Sequence, residues 1–313
     1  MSNFLVKENK KMKNFKASAA VAVSVLVFAI SAQVPTVEVG NYTGVGANNL
    51  SFNEQAKITG DKNFYYLNFL QSKPDKYGKK TTFINLSAPR EYWNFGRAPI
   101  NFLSLKVNGI SLREIEPQPK CVNAWTKGDR AGAEFVLNFD GAKIILHASM
   151  KKGSPLLFLS FTQPVKQLEP IKSKVQIEFG VVISRLLTKN KTTIWEGVYG
   201  RQALTASREL KQRKAPFQLN RQDKYLIFSD SILDGTGKGD EKGVGPCLLV
   251  FDLENGMAGT LKMQNRWHSS IVFFLPPDFK EFRCAIFMQK NKISNADFMK
   301  RFEAEKESFT NLD

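Results

Sequence analysis

Histidine and cysteine are the scarce residues of this 313-residue chain, with two and three copies respectively. Two histidines exclude the His-rich metal sites, and three cysteines exclude a dense disulfide framework. No zinc-ligand spacing, Ser-His-Asp set or Cys-His set is recognisable, so no metal and no cofactor is expected. Gly237-Lys238 lacks the spaced first glycine and the following Ser/Thr of a P-loop. Long apolar runs are also missing. The longest, Ala17 to Ile30, has 14 residues, against the roughly 20 that a helix needs to cross a bilayer. Strong helix signals are few, and neither an internal repeat nor a low-complexity tract is present.

That one apolar run has a meaning of its own. Lys7, Lys10, Lys11, Lys13 and Lys16 precede it, and the small residues Ser31 and Ala32 follow it. This is the order of a secretory signal peptide, so residues 1–32 are expected to be a leader and residues 33–313 an exported single domain. A retained anchor is the alternative, and Met12 offers a second, tidier start. Cleavage after Ala32 removes five Lys and one Glu, which lowers the net charge from +16 to +12. Export argues against nucleic acid as the partner of that charge and leaves acidic polysaccharide or the cell envelope. No transmembrane segment is expected in the mature chain. Cys247 and Cys284 sit in apolar strand-like runs and are expected as buried, unpaired thiols.

What is abundant is β-type sequence. The chain is 42% hydrophobic and 24% charged, with 25 Phe, a globular composition able to fill a large core. Alternating or apolar runs occur at 64–69, 81–86, 102–107, 134–139, 143–150, 156–162 and 175–184. Further runs occur at 192–198, 225–229, 247–253, 257–263, 269–275 and 282–289, thirteen in all. Asp140-Gly141 and Asn255-Gly256 each read as a type I′ hairpin turn, and Gly153-Ser154-Pro155 as a third turn. A helix is expected at 295–309, where Phe298, Met299, Phe302 and Phe309 recur at helical spacing. A second helix is a weaker expectation at Ala203 to Arg213. The fold class is therefore all-β, a large antiparallel β-sandwich with a short C-terminal helix. Two small β-domains parted near 117–128, at Pro117 and Pro119, are the alternative.

The stretches SLKVNG, WTKGDRAGAEFVLNFDGAKIILHASMKKGSPLLFLSFT, YLIFSDSILD and GVGPCLLVFDLENG resemble the galactose-mutarotase-like supersandwich domains. The resemblance implies sugar chemistry or sugar recognition on the concave face of the larger sheet. It also implies a histidine pair with a carboxylate for mutarotase activity, for which this chain offers His147, His268 and Glu196. His147 alternates with Ile145 and reads more readily as a partly buried strand histidine.

Three aromatic-rich clusters suit a saccharide, which binds aromatic faces under its C–H surface and polar groups at its hydroxyls. Trp195, Glu196, Tyr199 and Arg201 form one, and Arg266, Trp267 and His268 a second. Glu91 to Arg97 is a looser third. Glu196 and His268 are the candidate catalytic residues; Trp195, Tyr199, Arg201, Arg266 and Trp267 are the candidate ligand-binding ones. The competing reading makes Trp195 and Trp267 core residues. The acidic, glycine-rich loop 229–245 fails the EF-hand pattern, since Gly245 stands where the closing Glu belongs. Seven Lys/Arg between Arg201 and Lys224 form either an anion-binding track or a solvated face. The expected function is carbohydrate recognition without evident catalysis. The alternatives are an epimerase or a lyase on an anionic glycan, and a structural envelope protein.

Overall fold

The computed structural model describes residues 34–40, 45–46, 50–60, 63–87, 102–115, 118–181, 185–189, 192–196, 202–229, 247–263, 269–288 and 295–313. All belong to one compact unit, Ala32–Asp313. Two antiparallel sheets dominate it. The larger runs in spatial order β1 (Thr36–Gly40), β3 (Leu50–Thr59), β4 (Phe64–Ser72), β5 (Thr82–Ser87), β6 (Leu103–Val107), β12 (Val175–Val181), β21 (Ser269–Leu275), β20 (Ala258–Lys262) and β17 (Phe217–Leu219). Two short strands, β2 (Val45–Gly46) and β7 (Ile110–Ser111), join its flanks to make eleven. The second sheet has nine strands: β16 (Glu209–Lys211), β15 (Gln202–Leu204), β18 (Tyr225–Ser229), β19 (Cys247–Phe251), β22 (Glu281–Met288), β11 (Leu157–Thr162), β10 (Ala142–Lys151), β9 (Arg130–Phe139) and β8 (Lys120–Lys127). A separate ribbon pairs β13 (Arg185–Lys189) with β14 (Thr192–Glu196).

Each of the thirteen expected runs carries a strand. The inward residues alternate along them, as in β10, where Ala142, Ile144, Leu146, Ala148 and Met150 are buried. Phenylalanine fills the space between the sheets. Phe69 of β4 meets Phe135 of β9 with ring centres 4.5 Å apart, and Phe273 of β21 meets Phe282 of β22 at 4.8 Å. Rings of that size span the gap of about 10 Å between packed sheets. Cys247 and Cys284 are buried and unpaired, and burial pushes both thiols well above the usual range.

The second core lies on the outer face of the nine-stranded sheet. Helices α1 (Asn295–Ala304) and α2 (Lys306–Thr310) occupy the expected C-terminal position. Phe298, Phe302 and Phe309 press there on Leu156, Phe158, Tyr225, Ile227, Leu248, Val250 and Phe287. Those strand positions are apolar on both faces because both are covered.

The turns explain where expectation and structure part. Asp140 and Gly141 both take positive φ, 53° and 90°, and join β9 to β10 directly, as type I′ requires. At Asn255-Gly256 only Gly256 does so, at 81°. The Met257 N–H bonds the Glu254 carbonyl at 3.1 Å. That is type II geometry, which does not match the twist of a hairpin. Here β19 and β20 go to different sheets, so the expected hairpin is a crossover.

The expected helix at 203–213 is instead the hairpin β15–β16. Thr205 Oγ1 accepts the N–H groups of Ser207 and Arg208 at 3.1 and 2.9 Å, a local bond that competes with helical pairing. The stretch 117–128, where the two-domain alternative would break the chain, contains the edge strand β8. Much of the basic segment 202–224 is exposed.

Candidate functional site

The residues singled out in the sequence are placed unevenly. Tyr199, Arg201, Arg266, Trp267 and His268 lie outside the described residues, as do 88–101 and the acidic loop 230–246. Trp195 and Glu196 lie on β14, opposite Leu186 and Arg185, and their side chains are not among those described. The topology still relates these segments. Leu103 stands opposite Ile84 of β5 and opposite Phe179 of β12, while Val181 stands opposite Ser269 of β21. The chain therefore enters 88–101 and 182–201, and leaves 264–268, at one end of the eleven-stranded sheet.

His147 is fully described and belongs to a different place, the outer face of the nine-stranded sheet. Direct cross-strand pairing lines up a polar row there: Asn123, Glu134, His147, Ser160 and Arg283, one from each of β8, β9, β10, β11 and β22. Neighbours in such a row have Cβ atoms about 5 Å apart. His147 Nδ1 is 3.4 Å from Glu134 Oε1, and its Nε2 is 3.0 Å from Thr162 Oγ1. A proton on Nδ1 leaves Nε2 to accept from the threonine hydroxyl. Ser160 donates to Glu281.

The Glu134–His147–Thr162 order has the connectivity of a nucleophile, a base and an orienting acid. Its surroundings oppose that chemistry. Glu281 stands directly opposite Thr162, and a carboxylate there repels a developing oxyanion. Cys284, under the same groove, is held as a neutral thiol by burial, so it supplies no thiolate. The row presents hydrogen-bonding side chains along one line. His147 is the half-buried strand histidine that its alternation implied.

Beside the polar row runs a second: Trp125, Gly132, Ser149 and Phe158. Gly132 has a packing reason. A Cβ there would lie 2.9 Å from the Trp125 ring and 2.6 Å from the Ala148 carbonyl oxygen. The half-buried indole thus lies down on the sheet, over the glycine. A third row is cationic, with Lys127, Arg130 and Lys151 directly opposite one another. The Arg130 guanidinium also lies 5.2 Å from the centre of the Phe158 ring.

A groove of about 330 Å³ follows these rows, walled by Arg130, His147, Ser149, Ser160, Arg283 and Asp313. A second hollow of about 340 Å³ adjoins it, with Lys151, Lys152, Ser154 and Asn311. Phe158 and Asp313 belong to both. Leu312–Asp313 therefore lies as a bridge across one trough. Arg283 donates to Asp313 Oδ1 at 2.7 Å, and Lys151 to its main-chain oxygen at 3.1 Å.

Sequence reading missed Trp125, Arg130, Lys151 and Arg283 as a group. The available signal was the Gly128-Asp129 turn, which sets Lys127 opposite Arg130. Among the described residues no three His, Cys, Asp or Glu side chains are grouped to hold a metal ion. No described helix is long and apolar enough to cross a membrane.

No protein-family model matches the chain, and no curated protein matches it. Its fold is similar to several solved structures. A GH36 α-galactosidase from Geobacillus stearothermophilus aligns at 7% identity and TM-score 0.35, over 74% of this chain and 40% of that one. An α-galactosidase from Lactobacillus brevis aligns at 11% and 0.34, over 78% and 40%. A 4-α-glucanotransferase from Thermococcus litoralis aligns at 10% and 0.35, over 82% and 40%. The chain spans about 40% of the length of these proteins. At such values the reading of the site rests on its own geometry.

Proposed function

We propose that this chain is an exported, carbohydrate-recognising β-sandwich of the galactose-mutarotase-like kind, and that the trough on the nine-stranded sheet is its binding face. The observation that carries the reading is the pair of adjacent rows, a line of hydrogen-bonding side chains beside the recumbent Trp125. A sugar ring needs both at once, an apolar platform for its C–H face and directed polar groups for its hydroxyls. The strands that supply them are paired on both sides, apart from the edge strand β8, so the groups are held in position before a ligand arrives.

Binding rather than turnover follows from the engagement of each acid–base group. Both ring nitrogens of His147 face protein partners, and Glu281 takes the Ser160 hydroxyl. The Trp195 and Trp267 clusters, whose side chains lie outside the described residues, are a second candidate for the same class of ligand.

The test is a glycan array of neutral and acidic saccharides probed with the mature chain. Trp125→Ala is expected to weaken the best ligand about tenfold, the ~1.4 kcal/mol of one aromatic contact. A blank array, or unchanged binding by Trp125→Ala, refutes the assignment. Loss on Trp267→Ala with Trp125→Ala intact would move the site to the Trp267 cluster. Export is tested separately, by the mass of the chain recovered outside the cytoplasm, expected to begin at Gln33.

A further inference from the structure

The cationic row poses a physical problem. Like charges directly opposite on neighbouring strands repel, yet Lys127, Arg130 and Lys151 are stacked in this way across β8, β9 and β10. Arg283 adds a fourth positive charge on the far wall of the groove. Two carboxylates of the chain itself reach this groove, Glu281, which takes the Ser160 hydroxyl, and Asp313. Asp313 gives Arg283 a carboxylate oxygen and Lys151 a main-chain oxygen. It does so at a low level of attachment, because its side chain is 82% exposed.

We propose that the trough is a subsite for the carboxylate of an acidic sugar, and that Asp313 occupies it as a tethered competitor. This rests on the carbohydrate reading above and specifies the ligand class at the same face. Three features favour a uronate over a bare anion. The group now seated on Arg283 is a carboxylate, which the planar guanidinium fork matches. The Trp125 ring lies within the adjacent row and offers a platform for the pyranose. Ser149 and His147, on β10, stand between the Trp125 platform on β8 and Arg283 on β22, where ring hydroxyls would lie. Displacing Leu312–Asp313 joins the two hollows that now meet at Phe158 into one continuous trough.

The competition has a defined direction. An acidic saccharide must displace a weak, solvent-exposed ion pair, so the wild-type chain binds more loosely than a chain without the Asp313 side chain. Added salt screens ligand and competitor alike, but the net attraction of four cations for a polyanion is the larger effect, and binding falls as salt rises.

The experiment is calorimetric titration with trigalacturonate and with its carboxyl-reduced, neutral counterpart. Trigalacturonate is expected to bind and the neutral trimer to bind at least tenfold more weakly, the scale of a charge-assisted hydrogen bond lost. Asp313→Ala is expected to tighten trigalacturonate by about threefold, the scale of an exposed ion pair. Adding Arg283→Gln to that variant is expected to weaken it about tenfold. Circular dichroism and thermal melting confirm that each variant is folded. Failure of Asp313→Ala, in which the side-chain carboxylate no longer holds Arg283, to bind trigalacturonate overturns the proposal. So does indifference to Arg283→Gln. Equal affinity for the two trimers also overturns it while leaving carbohydrate recognition standing, and a blank glycan array fells both.

Discussion

Asp223 is the described carboxylate most deeply sealed from water, with no exposed surface, and its removal gives the sharpest stability test. Its Oδ1 accepts from Ser207 Oγ at 2.9 Å and Arg208 Nε at 3.0 Å. Its Oδ2 accepts from Arg208 Nη2 at 2.9 Å and the Asn220 N–H at 2.8 Å. Arg208 also donates to the Gln218 carbonyl. The clamp thus ties the turn after β15, at the edge of one sheet, to β17, at the edge of the other. Burial alone would raise the carboxyl, but the Arg208, Asn220 and Ser207 bonds outweigh it and hold the group below the usual aspartate range. Breaking a buried pair by removing one partner costs about 3–5 kcal/mol. Arg208 is 40% exposed and can rehydrate, which places Asp223→Ala at about 3 kcal/mol. Asp223→Asn keeps the shape but turns an N–H₂ toward a donor, for about 2 kcal/mol. The sign with pH follows from the lowered value. The contribution is complete above the unfolded value of about 3.9 and is lost as pH falls through the lower folded value. Urea unfolding at pH 7, and then in steps down to pH 3, should show the gap between wild type and Asp223→Asn narrowing below about pH 4. A gap under about 1 kcal/mol at pH 7, or one that widens with acid, refutes the clamp.

Two further outcomes are expected. The buried Tyr65 hydroxyl donates to the Pro155 carbonyl at 3.1 Å and accepts the Met288 N–H at 3.2 Å. Tyr65→Phe leaves the buried Met288 N–H without that acceptor, while the Pro155 carbonyl keeps the Asn63 amide at 3.2 Å, and should cost about 1–2 kcal/mol in urea unfolding; a loss below about 0.5 kcal/mol would show that water replaces the hydroxyl. Gly132→Ala forces the Trp125 ring off its seat and should cost about 1–3 kcal/mol with a shift in tryptophan emission. An unshifted spectrum at full stability would mean that the indole does not lie over Gly132.

How legible all this was in the sequence varies with how local the cause is. Alternation, turn glycines and the Phe spacing of 298–309 act over a few residues, and the strands and the C-terminal helix were readable from them. The strands β1, β3 and β8 were missed because edge and near-edge strands carry polar side chains such as Asn123 and Lys127, which weaken the pattern. The turn at Asn255-Gly256 looked like a hairpin because its two residues suit one. Whether β19 and β20 pair depends on which sheet each joins, which no dipeptide encodes.

The candidate site marks the boundary most clearly. The sequence drew attention to aromatic clusters whose members are neighbours along the chain, Trp195 to Arg201 and Arg266 to His268. The trough is assembled from residues up to 183 positions apart, from Arg130 to Asp313. By itself the sequence determined the all-β class, the buried state of Cys247 and Cys284 and the inward face of most strands, since each follows from local period and composition. Tertiary structure alone decided that Lys127, Arg130, Lys151 and Arg283 share one face with Trp125 and that Asp313 returns to lie among them. Cross-strand register and chain return set those neighbours, and both arise from the whole core rather than from any one stretch.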